Sequence, residues 1–91
     1  MTAELEAAEQ RVRIFEGILV AVDRRVELLD IVANAASTDV ALQALSRHLG
    51  LDEIQAQAVL DLQVRRFSTG ERAKIVEILA SAKEYVADLR G

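Results

Sequence analysis

Few side chains in this 91-residue sequence could perform chemistry, and their spacing favours structural roles. Tyr85 is the only tyrosine and His48 the only histidine, and the chain has no cysteine. A catalytic nucleophile needs a base beside it, and a zinc site needs several nitrogen or sulfur ligands. Tyr85 falls on the apolar seam of the last predicted helix, whereas His48 stands at a predicted helix C-terminus, four residues before Asp52. We therefore interpret Tyr85 as a packing residue and His48 as a helix cap or surface ion-pair partner.

The remaining charged and glycine residues also lack the patterns of an active site. Asp61 has Arg65 at i+4, which predicts an ion pair on one helix face. Arg65 and Arg66 could contact DNA, but a net charge of −4 disfavours stable binding, because non-specific affinity comes from neutralised phosphates. No glycine follows a predicted strand, so a phosphate-binding loop is not expected. The sequence predicts no catalytic residue, no metal site and no cofactor.

Composition predicts one all-α domain over residues 1–91. Hydrophobic residues make up 52% of the chain and aromatic residues 3%, and proline is absent. Alanine, leucine, glutamate and arginine, all good helix formers, dominate. The apolar run Ile18–Val22 ends at Asp23 and is too short to span a bilayer. The residues near the N-terminus are rich in acidic side chains, whereas a signal peptide begins with basic ones. We therefore expect a cytoplasmic protein with no membrane contact.

The first predicted helix runs from about residue 3 to about residue 35. Its apolar positions alternate steps of three and four, which is the spacing of a heptad seam. At 1.5 Å per residue this helix would be roughly 50 Å long, which is too long for a compact globule of this size. The seam consists of Leu5, Ala8, Val12, Phe15, Leu19, Val22, Val26 and Leu29.

Three further helices are predicted over about 39–48, 52–66 and 69–89. Capping side chains precede each of them, and the last has its own heptad seam that includes Tyr85. These lengths predict a long antiparallel coiled-coil pair, with the two short helices forming a globular tip. A plain four-helix bundle is the alternative, but helices of such unequal length would not cover one another evenly.

The helix predicted over 52–66 is apolar on most of its circumference. Such a helix must be buried on more than one side, and a chain of this length has little interior to provide that. Part of this surface is therefore expected to meet a second copy of the chain. The candidate dimer-interface residues are Ile54, Ala58, Leu60, Leu62, Val64, Arg65 and Phe67.

The amino-acid sequence of this segment also matches a family motif. Glu53–Arg66 reads EIQAQAVLDLQVRR, which closely resembles E-x-Q-A-Q-A-I-L-D-[LM]-[RQ]-L-[QR]-[KR] in the A subunits of the bacterial DNA gyrase and topoisomerase IV family. Ile14–Asp23 is similar to that family's outgoing arm helix, and Ile75–Arg90 to its returning helix. No large insertion precedes Leu51, as in actinobacterial and Gram-positive gyrases. The resemblance covers nearly the whole chain.

The resemblance implies a coiled-coil arm whose tip forms the dimer contact of the exit gate for transported DNA. It also implies a module that is not catalytic by itself, because the family's DNA-cleaving tyrosine lies in a winged-helix domain that precedes the arm. We expect a homodimer that contributes to DNA topology only within or alongside a full topoisomerase. In this chain Gly70 stands where the family often has a packing leucine, which is expected to change dimer affinity more than fold.

Two alternatives remain open from the sequence. A free-standing chain could act as a regulator or decoy that pairs with the full-length A subunit of gyrase, since a two-fold interface accepts a near-copy of one side. The other alternative is a helical homodimeric adaptor unrelated to DNA topology.

Overall fold

The structure is a computed structural model that describes residues 2–91. These residues form α-helices and one 3₁₀ helix, and no strand occurs among them, so the all-α prediction is confirmed. The helices are α1 (Ala3–Asp23), α2 (Arg25–Ala33), α3 (Thr38–Leu49), α4 (Glu53–Leu60), the 3₁₀ helix (Val64–Phe67) and α5 (Thr69–Arg90). Within the same residues, no helix is both long enough and apolar enough to cross a membrane.

The single helix expected over about 3–35 is divided at Arg24. The backbone of Arg24 leaves the helical region (φ −117°, ψ 36°), so α1 ends before it and α2 begins after it. Its guanidinium donates to the carboxylate of Glu27 and, at 3.3 Å, to the carbonyl oxygen of His48 at the end of α3. The break allows α2 to pack against α3 instead of extending the line of α1.

The helix expected over about 52–66 is also shorter. α4 ends at Leu60, the next residues are not helical, and the 3₁₀ helix follows. The irregular stretch lets Leu62 and Phe67 pack against Ile18, Val22 and Ile75. Continuing the helix would carry these apolar side chains away from that cluster, because side chains in a regular helix follow its 3.6-residue period.

α1 and α5 run antiparallel. Near the end of α1, Asp23 pairs with Arg72 in the first turn of α5, and near its start Glu9 pairs with Arg90 in the last turn of α5. The molecule measures 45 × 29 × 17 Å, so the length expected of a long coiled-coil pair is not reached. With 21 residues, α1 is itself only about 31 Å long.

Two regions can be distinguished along this pair. The arm region consists of residues 3–13 of α1 and residues 78–90 of α5. The tip region consists of residues 14–75 and contains both clusters of buried apolar side chains. The larger cluster joins the second half of α1 to α2, α3 and α4 through Ala21, Leu28, Leu45, Leu49, Leu51, Ala56 and Val59.

Candidate dimerisation surface

The predicted interface residues fall into two groups in the structure. Ile54 and Val64 are 51% and 76% exposed, and the side chain of Arg65 is 64% exposed. All three side chains are exposed to solvent. They lie on the first turn of α4 and on the 3₁₀ helix.

The other predicted residues are partly buried inside the monomer. Leu60 packs against the larger cluster, Leu62 against the smaller one, and Phe67 against both. Ala58 is also partly buried. Most of the apolar circumference that suggested a second chain is therefore covered by α1 and its neighbours, which the helical pattern alone did not reveal.

α4 is held on α1 by a close approach and by hydrogen bonds. A Cβ atom added at Gly17 would lie 2.9 Å from the Cβ of Gln55, so only glycine allows this separation. The side-chain amide of Gln55 donates to the carbonyl oxygen of Arg13 at 2.7 Å, and its side-chain oxygen accepts from the backbone N–H of Asp52 at 3.0 Å. The position of Ile54 on the surface is set by this docking.

Asp52 completes the same contact from the N-cap of α4. Its carboxylate accepts from the backbone N–H of Gln55 at 2.8 Å and forms an ion pair with Arg13 of α1. These bonds hold the pKa of Asp52 below its usual range, the backbone bond being the larger cause and Arg13 the next. A single side chain thus starts α4 and ties it to α1.

The ion pair predicted between Asp61 and Arg65 is not formed. Asp61 accepts from the side chain of Gln57 at 3.2 Å, whereas Arg65 pairs with Glu71 of α5 at 2.8 Å. The reason is that α4 ends at Leu60, which removes the i,i+4 geometry that the prediction required. Arg65 instead ties the 3₁₀ helix to the first turn of α5.

Several other exposed apolar side chains were not among the predicted interface residues, and two of them lie on one helix. Val26 is 80% exposed and Leu29 is 51% exposed, both on α2. They continue the heptad seam of α1 in sequence, but the break at Arg24 separates them from that packing. The sequence predicted that both residues belong to one coiled-coil seam with α1, and in the structure they lie exposed on a separate helix.

No protein-family model matches the chain. The A subunit of DNA gyrase from Mycobacterium tuberculosis is 38% identical over 88 residues, which is 97% of this chain and 10% of that protein. The A subunits of DNA gyrase from Helicobacter pylori (36% over 88 residues; 97% and 11%) and Dehalogenimonas lykanthroporepellens (40% over 86 residues; 94% and 11%) are similar. The chain is homologous to a segment of the DNA gyrase A subunit. It spans about a tenth of the length of these relatives.

The only tyrosine of this gyrase-A-like chain lies in the arm region, away from the exposed residues of the tip. Tyr85 is 49% exposed, and its hydroxyl donates to the carboxylate of Glu4. This hydrogen bond raises the pKa of Tyr85, with partial burial and the charge of Glu4 adding to the effect. A phenol with a raised pKa is a poorer nucleophile, because less of it is ionised. The contact identifies Tyr85 as a link between α5 and α1.

The only histidine of the gyrase-A-like chain makes its contact with Arg24 through its backbone carbonyl oxygen. His48 is exposed in the last turn of α3, and its carbonyl oxygen accepts from Arg24. Among residues 2–91, no group of three or more histidine, aspartate or glutamate side chains is arranged to hold a metal ion.

Proposed function

We propose that this chain is a dimerisation module that corresponds to the exit gate of the DNA gyrase A subunit. In this proposal two copies associate through their tip regions, and α1 and α5 serve as the coiled-coil arm that carries each tip. The homology to the A subunit of gyrase supports the assignment over 93–97% of the chain and favours it over an unrelated helical adaptor.

The observation that carries the proposal is the exposure of large apolar side chains in the tip region. Val64 lies on the 3₁₀ helix, two residues after Leu62, which packs in the smaller cluster, and Val26 lies on α2. Val64 and Val26 are the two most exposed of the large apolar residues, at 76% and 80%. Val26 and Leu29, at 51% exposure, are three residues apart on α2 and share one helix face, and adjoining exposed apolar side chains are typical of a surface that another chain covers.

The proposed module contributes no bond cleavage of its own. Its tyrosine is engaged by Glu4, and the described residues present no metal cluster. The chain would act on DNA topology only within or alongside a complete topoisomerase. Its net charge of −4 further supports weak DNA binding by the isolated chain.

The association is tested by light scattering after gel filtration. A dimer has twice the 10.0 kDa mass of the chain, and we expect this mass at tens of micromolar. Val64→Asp should shift the population to monomer without unfolding, because the side chain is exposed in the monomer but would bury a carboxylate in the dimer. A folded monomer for the unmodified chain at that concentration would contradict the proposal.

Two comparison variants make this test specific. Val76→Asp places the same charge on α5 at a valine that is 40% exposed, and it should leave the dimer unchanged. Leu62→Asp should instead reduce the helical circular dichroism signal, because Leu62 packs in the monomer's own core. Equal loss of dimer in Val64→Asp and Val76→Asp would indicate a non-specific charge effect and count against the tip.

A second candidate function is supported by the extent of the similarity. Because the relatives match the chain through the tip, its tip could pair with the same region of the full-length A subunit of gyrase. A mixed dimer would have one catalytic half and would reduce supercoiling. Native mass spectrometry of the mixed chains, with a supercoiling assay, tests this; separate homodimers with undiminished supercoiling would exclude it.

A further inference from the structure

The outward face of α2 carries an apolar stripe that no part of the described monomer covers. Val26 is 80% exposed, Leu29 is 51% exposed, and Ala33 is also exposed. The steps of three and four between these residues place them on one side of the helix. Leu28, only 3% exposed, lies on the opposite side and anchors α2 in the larger cluster.

The spacing of the stripe is that of a helix-pairing face. In heptad notation Val26 and Ala33 occupy a positions and Leu29 occupies a d position. Among parallel coiled coils, a β-branched residue at a with leucine at d favours two strands over three or four. The stripe therefore fits a pair of helices, and the charges at the e and g positions decide their relative direction.

The charges beside the stripe are complementary to those of a second copy. Arg25 stands at the g position before the stripe, and Asp30 at the following e position. In a parallel pair, a g residue of one helix meets the e residue five positions further along the other helix. The opposite charges of Arg25 and Asp30 would therefore form two symmetric ion pairs if two copies of α2 lay side by side.

Both groups have only weak contacts within residues 2–91. Arg25 donates to the carbonyl oxygen of Val22 at 3.2 Å, and the carboxylate of Asp30 accepts from the side chain of Asn34 at 3.4 Å. Neither takes part in an ion pair in this part of the molecule. Arg24 and Glu27, in contrast, are already paired with each other. Arg25 and Asp30 thus have charges available for an external partner.

We propose that α2 of one copy packs in parallel register against α2 of a second copy. Val26 and Leu29 form the apolar contact, and Arg25 of each copy pairs with Asp30 of the other. This inference rests on the proposed dimerisation and assigns part of its interface to α2, outside the segment that the sequence favoured. The two-fold axis then runs along the α2 helices.

The contact between two α2 helices is too small to form the whole interface. α2 has nine residues, so its stripe includes only one heptad and buries less than the ~1,000 Å² typical of a stable specific interface. The pairing therefore works together with the exposed residues near Val64. α2 is already folded and anchored through Leu28, which lowers the entropy lost on association.

A cysteine crosslink distinguishes parallel from antiparallel pairing, and the chain has no cysteine of its own to interfere. In the proposed register, Val26 of each copy faces Val26 of the other. Val26→Cys should therefore form a covalent dimer on mild oxidation, since disulfides need Cα atoms about 4.4–6.8 Å apart. Val76→Cys, at an exposed valine of α5, is the control and should remain uncrosslinked. Equal crosslinking of both variants would overturn the proposal.

Charge reversal tests the ion pairs in a chain that stays folded, since both groups are exposed. Arg25→Glu and Asp30→Arg should each raise the dimer dissociation constant about three- to tenfold, and the double variant should return to within about twofold of the unmodified chain. Mixed in equal amounts, the two single variants should form more than the statistical half of heterodimer by native mass spectrometry, because both ion pairs are restored. A dimer indifferent to these changes would overturn the α2 pairing alone, whereas an unmodified chain that stays monomeric would overturn the dimerisation itself.

Discussion

The arm and tip regions are stabilised by different interactions. In the tip, leucine side chains from different helices meet in one cluster, and Leu45 and Ala21 have no exposed surface. In the arm only two helices are present, so each apolar seam has one neighbour. Its four buried side chains, Ala8, Leu79, Ala82 and Val86, each keep 7% of their surface exposed, so none is completely buried.

In the arm, polar contacts at the surface between α1 and α5 add to this apolar packing. Tyr85 donates to Glu4, and Arg90 pairs with Glu9 at 2.7 Å. Exposed ion pairs add little stability because water and salt screen them. The other carboxylate oxygen of Glu9 is buried and accepts no hydrogen bond from the described residues. The comparison indicates that the tip supplies most of the folding free energy.

The largest expected effect comes from deleting core volume in the tip. Leu45→Ala should lower the free energy of unfolding by about 2–5 kcal/mol, because it removes buried methyl groups and leaves a cavity. Val86→Ala, in the arm, removes fewer carbons beside only one other helix and should cost less. Urea denaturation measures both, and a larger loss for Val86→Ala would reverse the comparison. Hydrogen exchange should show the arm opening before the tip.

A smaller effect is expected where α4 meets α1. Gly17→Ala adds a methyl group 2.9 Å from Gln55, and overpacking of this kind costs about 1–3 kcal/mol. The helix preference of alanine over glycine returns up to ~1 kcal/mol. Gly70→Ala is the matched control, because nothing lies within 4 Å of the added carbon, and it should be neutral or stabilising. Equal melting temperatures for the two variants would mean that α4 can move away from α1 freely.

Removing a helix cap at each end of the α1–α5 pair compares the stability of the two ends. Ser68 accepts from the backbone N–H of Glu71 at the start of α5, beside the tip, whereas Thr2 accepts from Leu5 at the free end of the arm. Ser68→Ala should cost about 1 kcal/mol. Thr2→Ala should cost less, because a helix end that frays locally need not lower global stability. A greater loss for Thr2→Ala would show that the arm end unfolds together with the tip.

The smallest effect concerns pH. The hydrogen bond from Arg72 lowers the pKa of Asp23 in the folded state, and the contacts of Asp52 lower its pKa too. A carboxylate with a lowered folded pKa stabilises the protein above its unfolded pKa of about 3.9, and this stabilisation is lost as pH falls through the folded pKa. Melting temperature should therefore decrease below about pH 4. Asp23→Asn should flatten part of that decrease and leave the value at pH 7 slightly lower.

Local signals in the sequence predicted the ends of several helices. The capping box of Asp52 and Gln55 is present at the start of α4, and Gly50 ends α3 with a positive φ of 69°. Each of these signals acts over about four residues, so these helix ends can be predicted from the local sequence alone. The resemblance to the A subunit of gyrase also follows from the order of residues and is confirmed by the comparisons.

The tertiary structure alone decided which apolar residues remain at the surface. The end of α1 is set by Arg24, which reaches His48, and by Asp23, which pairs with Arg72. These partners are distant in sequence, and a heptad pattern contains no information about them. Val26 continues the heptad seam of Val22 in sequence, but Val22 is buried and Val26 is exposed. The reason is that a helix face is buried only where the folded chain places a neighbour against it.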